Sequence, residues 1–328
     1  MKLHHISAAI FFILPLLHSC NKVDDIPGDD IPGNSPLLLS VETASPFTRT
    51  YIPDGMLYDN FKVWAAMEKD GTKTDVMNGY EVKFANDDWS YVTDTQSLIY
   101  WNSNADSYLF TAGAPINAVT AINETSMTLL LKNNTTESAM ACEPLKIESS
   151  SEYFGKTVNL CFGYAHCRVC VAFKKNATQN VAVSDIKLSP NAAITSKANL
   201  TYSYDWTTSK PSATTQLSDK ETNSESLSFD NVTIPAATDD AQLTATRYYC
   251  VPDASNQKQW TVSLKCDGEE KTGQFENNYS WESGKNYIYV FSLEGKSPKL
   301  VKIIKQDDFF DCNDIVPGGE FSGENMTE

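Results

Sequence analysis

From Leu37 onward the chain carries almost no helical periodicity and instead alternates. Phe61-Lys-Val-Trp-Ala-Ala-Met67 sets Phe61, Val63, Ala65 and Met67 on one face, and residues 80–84, 98–101 and 108–112 repeat the pattern. A period of two is that of a strand with one buried face, because successive side chains point to opposite sides. Each run is bounded by turn residues such as Lys69-Asp-Gly71, Asn78-Gly79 and Asn102-Ser-Asn-Ala-Asp106. Residues 128–132 and 157–173 continue the series. A second set follows at 182–188, 227–229, 232–234, 242–251, 259–265, 272–275 and 285–293. Short strands punctuated by polar turns predict an all-β chain of two β-sandwich domains in tandem. The expected domains are residues 37–155 and 156–316, with the join near 150–165. Residues 196–226, rich in Ser, Thr, Asn and Lys, are expected to form a long surface excursion.

The N-terminus has a different character. Lys2 precedes an apolar stretch at 8–17, and Leu17-His18-Ser19-Cys20 has the form of a bacterial lipobox. The stretch is too short for a bilayer span, which needs ~20 residues, so it predicts a lipoprotein signal peptide at 1–19 that is removed on export. Cys20 is then the acylated (palmitate-bearing) residue, and several acyl chains give a stable anchor where one is marginal. An ordinary secretory signal with an accidental cysteine is the alternative. Residues 20–36, acidic and rich in Gly and Pro, read as a flexible tether. Residues 317–328 read as a disordered tail.

Charge and composition exclude several classes. The 328 residues hold 26 basic and 42 acidic side chains, a net charge of -16, with no clustered Lys/Arg stripe for a phosphate backbone. No nucleic acid is expected as a partner. The hydrophobic share of 41% is ample for packed cores. Seven cysteines besides Cys20 are an odd number, so they cannot all pair within one chain. Cys167-Arg-Val-Cys170 has the spacing of a redox or zinc half-site, but an i, i+3 pair on a strand points to opposite faces. A structural role is the simpler reading, and no metal or cofactor is expected. His166 is the one histidine beyond the signal and lipobox. It lies in a strand-like run, where packing is the ordinary role, and no nucleophile, carboxylate pair or phosphate loop stands out. No enzyme is expected.

The ordered set of motifs resembles the fimbrillin (Mfa-like) family, the type V pilus subunit lipoproteins of Bacteroidota. The residues that carry the resemblance are Phe61-Lys-Val-Trp64, Tyr100-Trp101, Tyr108-Leu-Phe-Thr-Ala112, Val158-Asn-Leu-Cys-Phe162 with its extension to Phe173, Val232-Thr-Ile-Pro235 and Trp281-Glu-Ser-Gly-Lys-Asn-Tyr287. The family's Leu-x-Phe-x-His run has Tyr164 at the histidine position here, and its terminal Trp is missing from 301–308. The resemblance implies transthyretin-like sandwiches and a structural or adhesive subunit of a cell-surface pilus (fimbrium). It also implies an outer-membrane lipoprotein whose first strand is removed by an Arg-specific protease. A neighbouring subunit then fills the groove by donor-strand exchange.

On this expectation Leu37, Leu38, Leu39 and Val41 belong to the displaced strand. Arg49 precedes the scissile bond and Thr50 becomes the new N-terminus. Leu300, Val301, Ile303 and Ile304 form a candidate donor strand, although the last strand of the same domain would read alike. Partners would be other pilin subunits, the outer membrane through the lipid, and a host or bacterial surface ligand. The competing reading is a glycan-binding surface lipoprotein that does not polymerise, with Trp89, Trp101, Trp206, Trp260 or Trp281 as a sugar platform.

Overall fold

The structure is a computed structural model that describes residues 35–42, 59–85, 88–237 and 240–306. Cys20, Arg49, Thr50 and the tail at 317–328 lie outside the described residues. Among the described residues there are twenty-two strands, two single 3₁₀ turns (Ile116–Ala118 and Ala254–Asn256) and no α-helix. The strands are β1 (Leu39–Glu42), β2 (Asn60–Lys69), β3 (Thr72–Ala85), β4 (Asp88–Ser90), β5 (Ser107–Ala114), β6 (Val119–Ile122), β7 (Ser126–Lys132), β8 (Met140–Cys142), β9 (Leu145–Glu148), β10 (Val158–Tyr164) and β11 (Cys167–Lys174). They continue as β12 (Val181–Pro190), β13 (Ile194–Asp205), β14 (Ser212–Asn223), β15 (Leu227–Phe229), β16 (Val232–Ile234), β17 (Gln242–Leu243), β18 (Tyr248–Cys250), β19 (Gln259–Cys266), β20 (Glu269–Glu276), β21 (Asn286–Ser292) and β22 (Lys299–Gln306). The chain is all-β, as its alternation predicts.

Four sheets form two layered units. In the first, an eight-stranded sheet runs β1-β10-β8-β5-β2-β3-β4, with β9 also on β5, and a smaller sheet runs β14-β13-β7-β6. β5 is buried along its whole length because it has a core on each side. Tyr108, Phe110 and Ala112 join Phe61, Val63 and Ala65 in one core. On the other face Leu109 packs with Trp64, Ala66 and Trp206, against the smaller sheet. The large sheet curls: the Phe61 ring lies 5.4 Å from Phe162 on β10 and 5.1 Å from Trp89 on β4. Both ends of the sheet therefore close over one core.

The second unit is a sandwich of β17-β11-β21-β22, with β18 on β11, over β15-β12-β19-β20, with β16 on β12. Val169, Val171 and Phe173 from β11, and Tyr287, Tyr289 and Phe291 from β21, meet Val183, Ile186, Val262 and Leu264 from the facing sheet. Here one glycine is required by a close approach. A Cβ on Gly273 of β20 would overlap the Pro298 carbonyl oxygen, just before β22 begins. Backbone cannot rotate aside as a side chain can, so Gly273→Ala should destabilise by about 2–3 kcal/mol. The check is a lower denaturant midpoint at unchanged slope; a midpoint equal to that of the parent would contradict the tight approach.

Strand pairing runs differently from a simple division at residue 156. β10 pairs with β8 and β1, in the first unit, and the chain then passes through Ala165 and His166 into β11 of the second. The expected single extended run at 157–173 is thus two strands in two sheets. Residues 196–226 hold no long excursion. β13 and β14 form a hairpin that returns to the first unit, where β13 pairs with β7.

Candidate functional site

Leu37 and the following strand are built onto an edge. β1 pairs only with β10, in parallel, with Leu39 opposite Val158 and Val41 opposite Leu160. The approach to β1 is held by backbone bonds from Leu37 N to Ile99 O (2.8 Å) and from Trp101 N to Ser35 O (3.0 Å), while Val158 N donates to Leu38 O (2.9 Å). The Tyr91 hydroxyl donates to Leu37 O at 2.6 Å, and burial raises that phenol's pKa. Alternation then decides which side chains matter. Leu37 and Leu39 are 0% and 4% exposed in the large core, Val41 packs against it, and Leu38 at 45% faces out.

Without β1, the β10 groups that pair with it would lose their partners, and the core wall filled by Leu37 and Leu39 would open. An unpaired, apolar-flanked strand edge is a template for another strand. The geometry can therefore support exchange of one edge strand for another with the same in-out pattern.

Near the C-terminal end of the described residues, Leu300, Val301, Ile303 and Ile304 lie in β22, the terminal strand of its sheet, antiparallel to β21. Leu300 and Ile303 pack on the sandwich core, Ile304 packs on the opposite face of that sheet, and Val301 is 47% exposed. β1 and β22 thus lie in different units.

Four of the five tryptophans offered as a sugar platform are buried, and Trp89 is half-buried. Trp101, Trp260, Trp281 and Trp206 are 1%, 2%, 3% and 8% exposed, and Trp89 packs against the large core. Trp206 was expected on an exposed stretch, but it lies 6.0 Å from Trp64 and donates to Glu124 O at 2.7 Å. Its core position follows from β13 returning to the first unit. Among the described residues no group of three or more His, Cys, Asp or Glu is placed to hold a metal ion, and no helix is long and apolar enough to cross a membrane.

One feature had no sequence signal beyond a lone histidine. His166, at the chain crossing from the first unit to the second, is buried, and its Nδ1 accepts the Ala139 N–H at 3.1 Å. That bond places the proton on Nε2. The ring lines a cavity of about 240 Å³ together with Pro115, Leu130, Lys132, Asn134 and Glu137. Burial lowers its pKa to about 4, opposed by a hydrogen bond to the Lys132 backbone.

The family profile described as fimbrillin-like matches residues 48–306. The chain belongs to the fimbrillin-like family. Membership makes it a fimbrial protein of the cell surface. Among solved structures it is similar to a candidate cell adhesion protein from Bacteroides uniformis, at 12% identity and a TM-score of 0.50, over 84% of this chain and 98% of that one. A second candidate cell adhesion protein, from Bacteroides ovatus, matches at 11% identity and a TM-score of 0.48, over 84% and 98%. The fimbrial anchor protein Mfa2 from Porphyromonas gingivalis matches at 12% and 0.34, over 83% and 96%. Only the first of these supports the likeness in fold. No curated protein matches.

Proposed function

We propose that this fimbrillin-like protein is a structural or adhesive pilus subunit assembled by protease-triggered strand exchange. Cys20 carries the lipid that holds the precursor on the outer membrane. Cleavage between Arg49 and Thr50 frees the segment that contains β1, and the groove along β10 then accepts a strand from a neighbouring subunit. The candidate donor is β22, with Leu300, Val301, Ile303 and Ile304. It is an edge strand with much of its surface in solvent, so it leaves its own sheet at less cost than an interior strand would.

The observation that carries the reading is the placement of β1. It is an edge strand, bonded to one partner, with Leu39 and the preceding Leu37 in the core and its chain continuing towards Arg49. The test is digestion of purified precursor with an Arg-specific protease, followed by N-terminal sequencing and sizing. The expected product begins at Thr50 and forms a ladder of oligomers, whereas Arg49→Ala precursor stays intact and monomeric. A product that begins elsewhere, or one that begins at Thr50 and remains a monomer, would overturn the mechanism.

A further inference from the structure

Six cysteines fall among the described residues, and two of them stand directly opposite each other. β11 and β18 run antiparallel with Cys167 in register with Cys250. Both are 0% exposed and both enter the same sandwich core. Cys167 Sγ donates to the Cys250 carbonyl at 3.4 Å, and the Cys250 thiol lies against it. Directly opposed residues of an antiparallel pair have Cα atoms about 4.5–5.5 Å apart, inside the window of about 4.4–6.8 Å that a disulfide spans.

The other cysteines fail that test of direction. Cys170 is three residues further along β11 and packs on the opposite face, with Ala172, Ile288 and Val290. Cys142 is in register with Phe162, so Cys161 on the same strand points to the other side of the sheet. Cys266 is opposite Val183 on one side and Glu269 on the other. The surface location of the family takes the chain out of the reducing cytosol, to a compartment where disulfides form and persist.

We propose that Cys167 and Cys250 form a disulfide in the exported protein. The two thiols give up two protons and two electrons as the S–S bond forms. A protein disulfide oxidant takes the electrons, its own disulfide being cleaved to two thiols through a mixed disulfide with one of the pair. The reaction takes place during folding, before the second core closes over both sulfurs.

The bond has a structural consequence at the junction of the units. Cys167 begins β11 immediately after the chain leaves the first unit at Ala165 and His166. Beside Cys250, Tyr249 exchanges backbone bonds with Asn134 at 3.0 and 2.8 Å and packs in the core of the first unit. A cystine here fastens two chain crossings together at the junction of the two units. This rests on export alone and stands or falls independently of strand exchange.

The full chain, recovered from exporting cells without reductant, is denatured in excess alkylating reagent and mapped by mass spectrometry. Cys167 and Cys250 should be unlabelled and joined in one linked peptide. Prior reduction should add two labels at those positions and lower the melting midpoint by about 5–10 °C. The double variant Cys167→Ala/Cys250→Ala should melt with the reduced protein and be indifferent to reductant. Labelling of both residues without reduction, or linkage of either one to a different cysteine, overturns the proposal.

Discussion

Replacing Leu37 and Leu39 together by alanine should release β1 from the large sheet while the rest of the first unit stays folded. Both leucines are buried, and each buried Leu→Ala change costs about 2–5 kcal/mol. The double change therefore removes at least about 4 kcal/mol from a strand that pairs only with β10 and is otherwise tied at Tyr91, Ile99 and Trp101. Loss of global stability should stop at the free energy that holds β1. Once the strand has left, the missing methyl groups no longer lie in the core. Hydrogen exchange reads this directly. The Val158 and Leu37 amides, which donate to Leu38 O and Ile99 O, should lose about a thousandfold of their protection, while amides between β2 and β5 keep theirs. Leu38→Ala, at an outward-facing position, should change stability by less than about 0.5 kcal/mol. Two outcomes would refute the separable strand: unchanged protection at Val158, or simultaneous loss across β2 and β5.

The parts of this fold legible in the sequence are those where a strand has two chemically distinct faces. Phe61, Val63 and Ala65 share a core, with Met67 packed against it, because their alternation is unbroken, and Trp64 falls on the opposite face among Ala66 and Leu109. The opposed directions of Cys167 and Cys170 follow from the same period of two, and the structure puts them in separate cores. Where that contrast is missing, the sequence is silent. β14 is exposed at nearly every position, so its hairpin with β13 is held by backbone pairing and leaves no apolar pattern to detect. β11 shows the opposite problem. It is buried on both faces up to Phe173, so the run from Val158 stays apolar while the partner strands change at His166. Periodicity marks a strand but never its neighbour. The parallel pairings of β1 with β10 and of β11 with β21 were therefore beyond reach. The candidate site was half legible: a short strand at 37–42 could be read, whereas its place at an edge and the outward direction of Leu38 could not.

His166 gives the fimbrillin-like chain a predicted acid sensitivity at the joint between its units. The imidazole is buried, accepts the Ala139 N–H through Nδ1, and is neutral in the fold with a pKa of about 4, against 6.5 for an unperturbed histidine. The Lys132 backbone hydrogen bond favours the charged ring and the Ser138 hydroxyl lies 3.2 Å from Nδ1, yet burial outweighs them. Lys132 and Glu137 line the same cavity with opposite signs, and Tyr249 presents an aromatic ring edge-on at 6.4 Å. Because the folded pKa is the lower one, the unfolded chain binds the extra proton between these two values, and stability must fall as pH falls. The contribution is fully present above about pH 6.5 and declines towards pH 4, a loss of about 3 kcal/mol for a shift of this size. His166→Asn keeps an acceptor for the Ala139 amide but cannot take up a proton. The difference in unfolding free energy between parent and variant should therefore be constant above pH 7 and move by about 3 kcal/mol in favour of the variant by pH 4. Carboxylates that titrate in the same range are common to both proteins and cancel. A difference that stays flat from pH 7 to pH 4 would mean that the ring is solvated in the fold or charged at no cost, and the junction around Ala139 would then be insensitive to acid.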